Sequence, residues 1–398
     1  MPPVASRVPP PDPRRGITKW WGVPLVSIAI VALVGVIALA LLPAQLVAHK
    51  AVANAEGRED EVATPYALVP AGAQPVADRV SYGDLGADIN VDTDPEGRVY
   101  FLTISEPPQS MLGWWIAQDE PEIEFTTDEE KFGAQTPSQQ RSISLQMMRT
   151  SGQVAQYVAL TRAGYDAEII PGPVQVRQML CLDVAGNRCL EYVPTAEQLD
   201  DGDMILAVDG VEVTNLDDLD AQLADNRPGD RVTLELDRID SGEVTVDVTL
   251  LRASDDPDDP EYDRPLIGFV PFDTDTVDLP FEIAFDTGDI GGPSAGLAFT
   301  LTLIDELTDG DLLGGLDVAV TGTIALNGTV GAIGGLPQKA SAVRQAGLRY
   351  LLVPASQPAE TIEAARQIAG ESVAIIPVST VDEALAALVE LGGDPVAA

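Results

Sequence analysis

Residues 20 to 48 carry no charged side chain, and the run WGVPLVSIAIVALVGVIALALLP inside them is almost unbroken apolar sequence. A helix of about 20 such residues, rising about 1.5 Å each, matches the roughly 30 Å of a bilayer's hydrocarbon, so a transmembrane helix is expected over 20–45. A cleaved signal peptide is the alternative, since the small residues AVANA follow. The run, however, exceeds the usual apolar core of about 7–15 residues in such peptides. Further on, GRVYFLTIS (97–105) reads as a strand and EPEIEF (120–125) as a second, shorter one. SQQRSISLQMMRTSGQVAQYVALTRAG (138–164) has apolar residues at helical spacing and ends on glycine, which predicts a helix with Met147 and Met148 as packing residues. The period then shortens. ILAVDG (205–210), VEV (211–213), RVTLEL (231–236) and VTVDVTL (244–250) read as strands around a helix at LDDLDAQLADN, punctuated by turns at Asp209-Gly210, Pro228-Gly229 and Ser241-Gly242.

The acidic, proline-containing run DDPDDPEYDRP (255–265) marks a boundary, after which the chain becomes apolar and glycine-rich. FEIAFDTGDIGGPSAGLAFTLTLIDEL passes from a strand at Phe281–Phe285 into a helix opened by Pro293, with Ser294 expected in its first turn. In VAVTGTIALNGTVGAIGGLPQKASAVRQAGLRYLLVP (318–354), strand, turn and strand lead through Gly334-Gly335 to a helix from about Pro337 that stops at Gly347. The pattern predicts a multidomain α+β protein: a tail over 1–19, the membrane helix over 20–45, an α+β N-terminal domain over 60–170, a β-rich domain over 171–253 and an α+β domain over 262–393.

Charge gives this layout an orientation. Arg7, Arg14, Arg15 and Lys19 precede the apolar run against one acid, Asp12, so the positive-inside bias puts the N-terminus in the cytoplasm and the bulk of the chain outside the cell membrane. The whole chain has 23 Lys+Arg against 63 Asp+Glu, a net charge of −40. A surface so acidic is a poor partner for nucleic acid or anionic lipid. The two cysteines, Cys181 and Cys189, flank the turn signal Ala185-Gly186-Asn187, and either a disulfide or two buried thiols fits them.

Residue scarcity limits the chemistry. The only histidine, His49, ends the apolar run, so the body of the chain holds neither a Ser-His-Asp arrangement nor His ligands for a catalytic zinc. Of four lysines, only Lys339 follows Lys131. Thr18, His49, Glu130 and Gln338 precede them, so no Gly-Lys of a P-loop exists, and no cofactor or metal is expected. A serine nucleophile needs a base, and Lys339 is the amine available. At the start of a helix, among apolar and Gly residues, its pKa would need to fall by roughly 3 units to serve near neutral pH, which buried lysines achieve.

The string PTAEQLDDGDMILAVDGVEVTNLDDLDAQLADNRPGDRVTLELDR (194–238) resembles the second half of a bacterial PDZ domain. That resemblance implies a peptide added as a strand beside a helix, although the usual glycine-containing carboxylate loop is not evident in the first half. GGPSAG with TGTI, VGAIGGLPQK and LLVP is similar to the proteolytic domain of the Lon family, here without an ATPase motor. Together with the apolar N-terminal run, the order resembles membrane-anchored PDZ-Lon proteases. The resemblance implies Ser294 as nucleophile, Lys339 as its partner and Thr321 as a residue holding the lysine. N–H groups near Ser294 and Gly292 would receive the oxyanion. Lon itself usually carries an acidic residue where Gly291 stands.

The function expected is an ATP-independent serine endopeptidase cleaving unfolded or flexible exported or membrane-associated proteins, possible also as a homo-oligomer. A non-hydrolytic peptide-binding scaffold at the membrane, using the PDZ-like domain, is the alternative.

Overall fold

A computed structural model describes residues 22–53, 59–85, 89, 91–92, 96–132, 136–185, 188–238, 241–254, 257, 259, 261–272 and 274–396. The expected tail over 1–19 and the turn residues Gly186 and Asn187 lie outside them. The chain divides into two units, one of residues 1–67 and 107–120, the other of residues 68–106 and 121–398.

In the first unit, the helix Gly22–Leu41 precedes an antiparallel hairpin, His49–Ala53 with Glu59–Ala63. The short helix Met111–Ala117 is capped by the Ser110 hydroxyl, which accepts from the Gly113 N–H, and is tied back by Met111 N–H to Leu42 O at 2.9 Å. Side chains of the first helix are described from Val26 onward, and those large apolar ones are exposed. Sixteen residues, 26–41, measure about 24 Å. Among the described residues no helix is long and apolar enough to cross a membrane, so the span expected over 20–45 gains no support from the structure.

The second unit contains two six-stranded sheets. One runs in the order Ala374–Val378, Tyr350–Pro354, Asp317–Val320, Arg98–Ser105, Tyr66–Pro75, Glu124–Thr126. Its first three junctions are parallel, and Arg98–Ser105 then pairs antiparallel with Tyr66–Pro75. The strand expected at 97–105 is therefore central, and a separate N-terminal domain over 60–170 is not what forms. Val99, Phe101 and Leu102 are buried at 3%, 1% and 4% exposure on both faces of that strand. A strand apolar on both faces needs cover on both sides: Val99 and Phe101 share a core with Leu297, Phe299 and Met148, and Leu102 shares another with Leu336, Ala340 and Val343.

Helix Gly296–Leu307 is buried at every residue, its apolar stretch Leu297–Ile304 and the carboxylates Asp305 and Glu306 alike. Thr300 and Thr302 donate their hydroxyls back to the Gly296 and Ala298 carbonyls, leaving neither unpaired. Against it packs the long helix Pro137–Arg162, which opens with a reciprocal Thr136–Gln139 cap and a proline at its start, and stops before Gly164 at φ +83°. Phe299 stacks on Phe285 at 4.2 Å and meets Phe101 edge-on at 6.0 Å.

The other sheet runs Gly242–Thr249, Arg231–Arg238, Met204–Val208, Val174–Met179, Phe269–Phe272, with Val211–Glu212 paired beside Met204–Val208. Helix Leu216–Leu223, capped by Asn215, covers a core that includes Ile205, Leu219, Leu234 and Leu236. This domain was expected to end at 253 and the next to begin at 262. Instead the chain beyond the acidic run returns, pairing Leu251 with Leu266 and Phe269 with Met179. An acidic, proline-containing run need not be a domain boundary. Cys181 and Cys189 are joined by a disulfide across the hairpin Cys181–Ala185 and Arg188–Tyr192.

Candidate active site and peptide groove

Three separate elements bring Ser294, Thr321 and Lys339 together. Ser294 stands in the turn just before helix Gly296–Leu307, two residues earlier than the first helical turn expected for it. Thr321 follows directly on strand Asp317–Val320, and Lys339 lies in the first turn of helix Leu336–Ala346. That helix begins at Gly335, whose φ of +66° suits glycine and turns the chain sharply out of the preceding loop.

Lys339 Nζ lies 2.7 Å from Ser294 Oγ and 2.9 Å from Thr321 Oγ1. The Thr321 hydroxyl donates to the Ser294 carbonyl at 3.2 Å, and that carbonyl also accepts the Gly322 N–H at 3.0 Å. Lys339 is 2% exposed and Thr321 0%, while Ser294 is half-buried. Burial disfavours the charged ammonium and brings the Lys339 pKa from 10.5 down to about 7. Both hydrogen-bonding partners of Nζ are hydroxyls; neither is an anion that would hold the proton on. A neutral amine here offers its lone pair to the Ser294 hydroxyl and an N–H to Thr321.

The turn carrying Ser294 is fixed by the long helix. Ser151 Oγ donates to the Pro293 carbonyl at 3.0 Å, and the Ser144 carbonyl accepts the Gly292 N–H at 2.7 Å. Gly292 is therefore not available as an oxyanion donor, contrary to the expectation from sequence, because its N–H is already used. The N–H groups of Ser294 and Ala295 have no partner among the described residues and stand at the open start of a helix, where the dipole favours negative charge. A side chain on Gly291 would meet Ser144 Cβ at 2.7 Å and its carbonyl carbon at 2.9 Å. Close approach to this helix leaves no room for a side chain at this position.

A cavity of about 570 Å³ opens in front of Ser294 and Lys339. One wall is Leu102–Ser105. Within strand Arg98–Ser105, only Arg98–Phe101 pair with Asp317–Val320, so Leu102–Ser105 run past the end of that neighbour with that edge open. Neither this edge nor the serines of the long helix were picked out as site residues from sequence. Their signal, an apolar strand and a polar helix face, is common to many proteins.

The β-rich domain has its own groove, between helix Leu216–Leu223 and strand Phe269–Phe272, lined at one end by Arg264–Gly268. Phe269–Phe272 is the last strand of its sheet and leaves an edge free for another strand. Leu266-Ile267-Gly268-Phe269 supplies the glycine-containing loop missing from the first half. Gly268 has φ +102°, and the Ile267 and Gly268 N–H groups have no partner among the described residues. The loop went unseen because it arrives from the C-terminal side of the acidic run.

Residues 283–390 match the Lon protease (S16) C-terminal proteolytic domain, and residues 191–250 match a PDZ domain. The chain is 37% identical over 94 residues to the Lon protease of Xanthomonas oryzae pv. oryzae and 39% over 94 residues to that of Azospirillum brasilense. It is 45% identical over 69 residues to that of Phenylobacterium zucineum. These stretches cover 24%, 24% and 17% of this chain, but only 11%, 11% and 8% of those proteins. A solved PDZ domain, from the SdrC-like protein of Listeria monocytogenes, is 20% identical and covers 26% of this chain and 92% of that one; its TM-score of 0.20 is too low to add to the family match. The chain thus carries a Lon-type proteolytic domain, the catalytic domain of a serine peptidase, preceded by a PDZ domain.

Proposed function

We propose that this protein is an endopeptidase in which Ser294 is the nucleophile and Lys339 its general base. The observation that carries the reading is the 2.7 Å separation of Nζ and Oγ inside a site where burial brings the lysine near neutrality. Neutral Lys339 takes the Ser294 hydroxyl proton as Oγ attacks a peptide carbonyl, and the oxyanion settles on the Ser294 and Ala295 N–H groups. The ammonium then protonates the departing amine, and the acyl-enzyme and a free N-terminus result. Water, giving its proton to Lys339, attacks the ester carbonyl, and the ammonium returns that proton to the departing Ser294 Oγ, which releases the second fragment and restores both residues. Thr321 holds Nζ on line through both steps. Substrate adds as a strand along Leu102–Ser105, which requires an extended and therefore unfolded or flexible segment.

We also propose that cleavage needs no ATP, a reading supported by the lack of a Gly-Lys in these 398 residues. From the uncharged apolar run over residues 20–48 and the basic residues before it, we also infer membrane anchoring, with the N-terminus cytoplasmic and the catalytic part outside. The PDZ domain binds peptide or protein segments of the substrate. These assignments are tested by incubating the purified chain with an unfolded protein without nucleotide, alongside Ser294→Ala and Lys339→Ala. Cleavage by wild type alone, with a serine-directed fluorophosphonate attached at Ser294, is expected. Cleavage retained by Lys339→Ala refutes the dyad, and a requirement for ATP refutes the motor-free mechanism. Fractionation of cells expressing the chain, with protease added to intact spheroplasts, tests anchoring and orientation.

A further inference from the structure

Two clefts flank the long helix Pro137–Arg162. Met148 lines the catalytic cleft, whereas its neighbour Met147, expected from sequence to be a packing residue, is 47% exposed and lines a second cleft of about 400 Å³. The second cleft follows the helix from Ile143 to Val154, about 16 Å at 1.5 Å per residue. Apolar groups dominate its lining, among them Ile143, Met147, Val154, Val270 and Ile324. Its boundaries are shared. Leu216 and Pro271 also line the PDZ groove, and Pro293, the residue before Ser294, also lines the catalytic cleft. Gln146 lines it too, and the side-chain oxygen of Gln146 is buried without a hydrogen-bond partner.

We propose that this cleft is a subsite for the substrate polypeptide: an extended stretch bearing a large apolar side chain, lying between the end held in the PDZ groove and the bond presented to Ser294. At about 3.3 Å per residue, 16 Å accommodates roughly five residues. The occupant is argued from continuity, since a chain leaving the groove past Leu216 and Pro271 enters this cleft and leaves it at Pro293. Two consequences follow. A substrate whose scissile bond lies too close to its docked end cannot engage both sites, so the gain from tethering has a length threshold. Beyond the threshold, leucine at the middle of the stretch lowers KM roughly tenfold relative to serine, through burial of its side chain. This inference rests on the assignment of Ser294 as nucleophile and of the groove as a peptide site.

The test uses the full chain and two sets of fluorogenic peptides: short ones that fill only the catalytic cleft, and long ones ending in a common C-terminal sequence with varied spacing and with leucine or serine at the middle. Met147→Asp places a charge in the second cleft at an exposed helix position, and Met147→Leu restores the apolar surface. Expected for Met147→Asp are a roughly tenfold rise in KM for long leucine peptides, unchanged turnover of short peptides and unchanged fluorophosphonate labelling of Ser294; Met147→Leu behaves as wild type. Equal KM for long leucine and long serine peptides, or no effect of Met147→Asp, overturns the proposal. So does a smaller sedimenting species on Met147→Asp, which would make the cleft an interface between copies of the chain. If wild type neither cleaves short peptides nor labels, the nucleophile assignment has failed instead. The subsite is then read by fluorescence anisotropy of a long labelled peptide, with the loss on Met147→Asp expected and equal binding overturning it.

Discussion

Replacing Lys339 by methionine removes the base and, by the same burial argument, a source of instability. In the unfolded chain the lysine holds its proton up to pH 10.5, but in the folded chain only to about 7. Between those values the unfolded state binds more protons, so the lysine's contribution to stability improves as pH rises from 7 to 10.5, and its penalty is fully present below about 7. The two values correspond to a penalty of about 4 kcal/mol at pH 7 and about 1 kcal/mol at pH 10. Methionine is unbranched, fits a similar volume and has no proton to lose. Lys339→Met is therefore expected to be more stable than wild type near neutral pH, with an advantage that shrinks by about 3 kcal/mol between pH 7 and pH 10. Comparing the two chains cancels every other titrating group. Urea unfolding at several pH values should be followed by far-UV circular dichroism. In parallel, wild-type kcat/KM should rise with pH through about 7 and level off. A stability difference independent of pH would refute burial as the cause of a lowered lysine pKa. A methionine variant that still cleaves would refute the lysine's role.

Three further outcomes follow from the same geometry. Thr321→Val keeps the shape and the Gly322 contact to the Ser294 carbonyl but removes the acceptor for Lys339 Nζ; kcat is expected to fall about 10-fold to 100-fold, and the pH profile to move to lower pH because a group favouring the charged lysine is lost. Gly296→Ala places a methyl 2.6 Å from Ser151 Oγ and 2.7 Å from Ile324 Cγ2; it should cost about 1–3 kcal/mol in urea unfolding and lower kcat by shifting the Ser151 tie to Pro293. Glu306, hydrogen-bonded by Tyr82, is pushed from 4.5 up to about 7, chiefly by burial. The folded chain therefore binds the extra proton between those values, and the stabilising contribution is present at low pH and lost as pH rises through about 7. Glu306→Gln should stabilise the protein by about 3 kcal/mol at pH 8 and little at pH 4, measured by the same unfolding assay.

Much of the candidate chemistry was legible along the chain. Ser294, Thr321 and Lys339 each sit in a glycine-marked turn or at the start of a helix, features that short windows encode. The helix over 138–164 and the strands between 204 and 250 were equally local. What failed involved distance or competition for hydrogen bonds. Gly292 was a sound oxyanion donor until the Ser144 carbonyl, 148 positions earlier in the chain, took its N–H. Strand Arg98–Ser105 was recognised as a strand, but nothing near it says that Asp317–Val320 lies alongside. The glycine-containing loop of the PDZ groove was sought before the domain and arrives after it.

The sequence alone determined which groups are available: one lysine for a serine in a region without histidine, and two helices opening beside them. Backbone conformation and residue type are short-range properties, written in windows of a few residues. Tertiary structure decided how those groups perform, because desolvation of Lys339 and the spending of each N–H depend on what the rest of the chain packs against them. The same folding laid a second apolar cleft between the PDZ groove and Ser294. No window of the sequence contains that cleft, since its walls come from residues 143–154, 216, 270–271, 293 and 324.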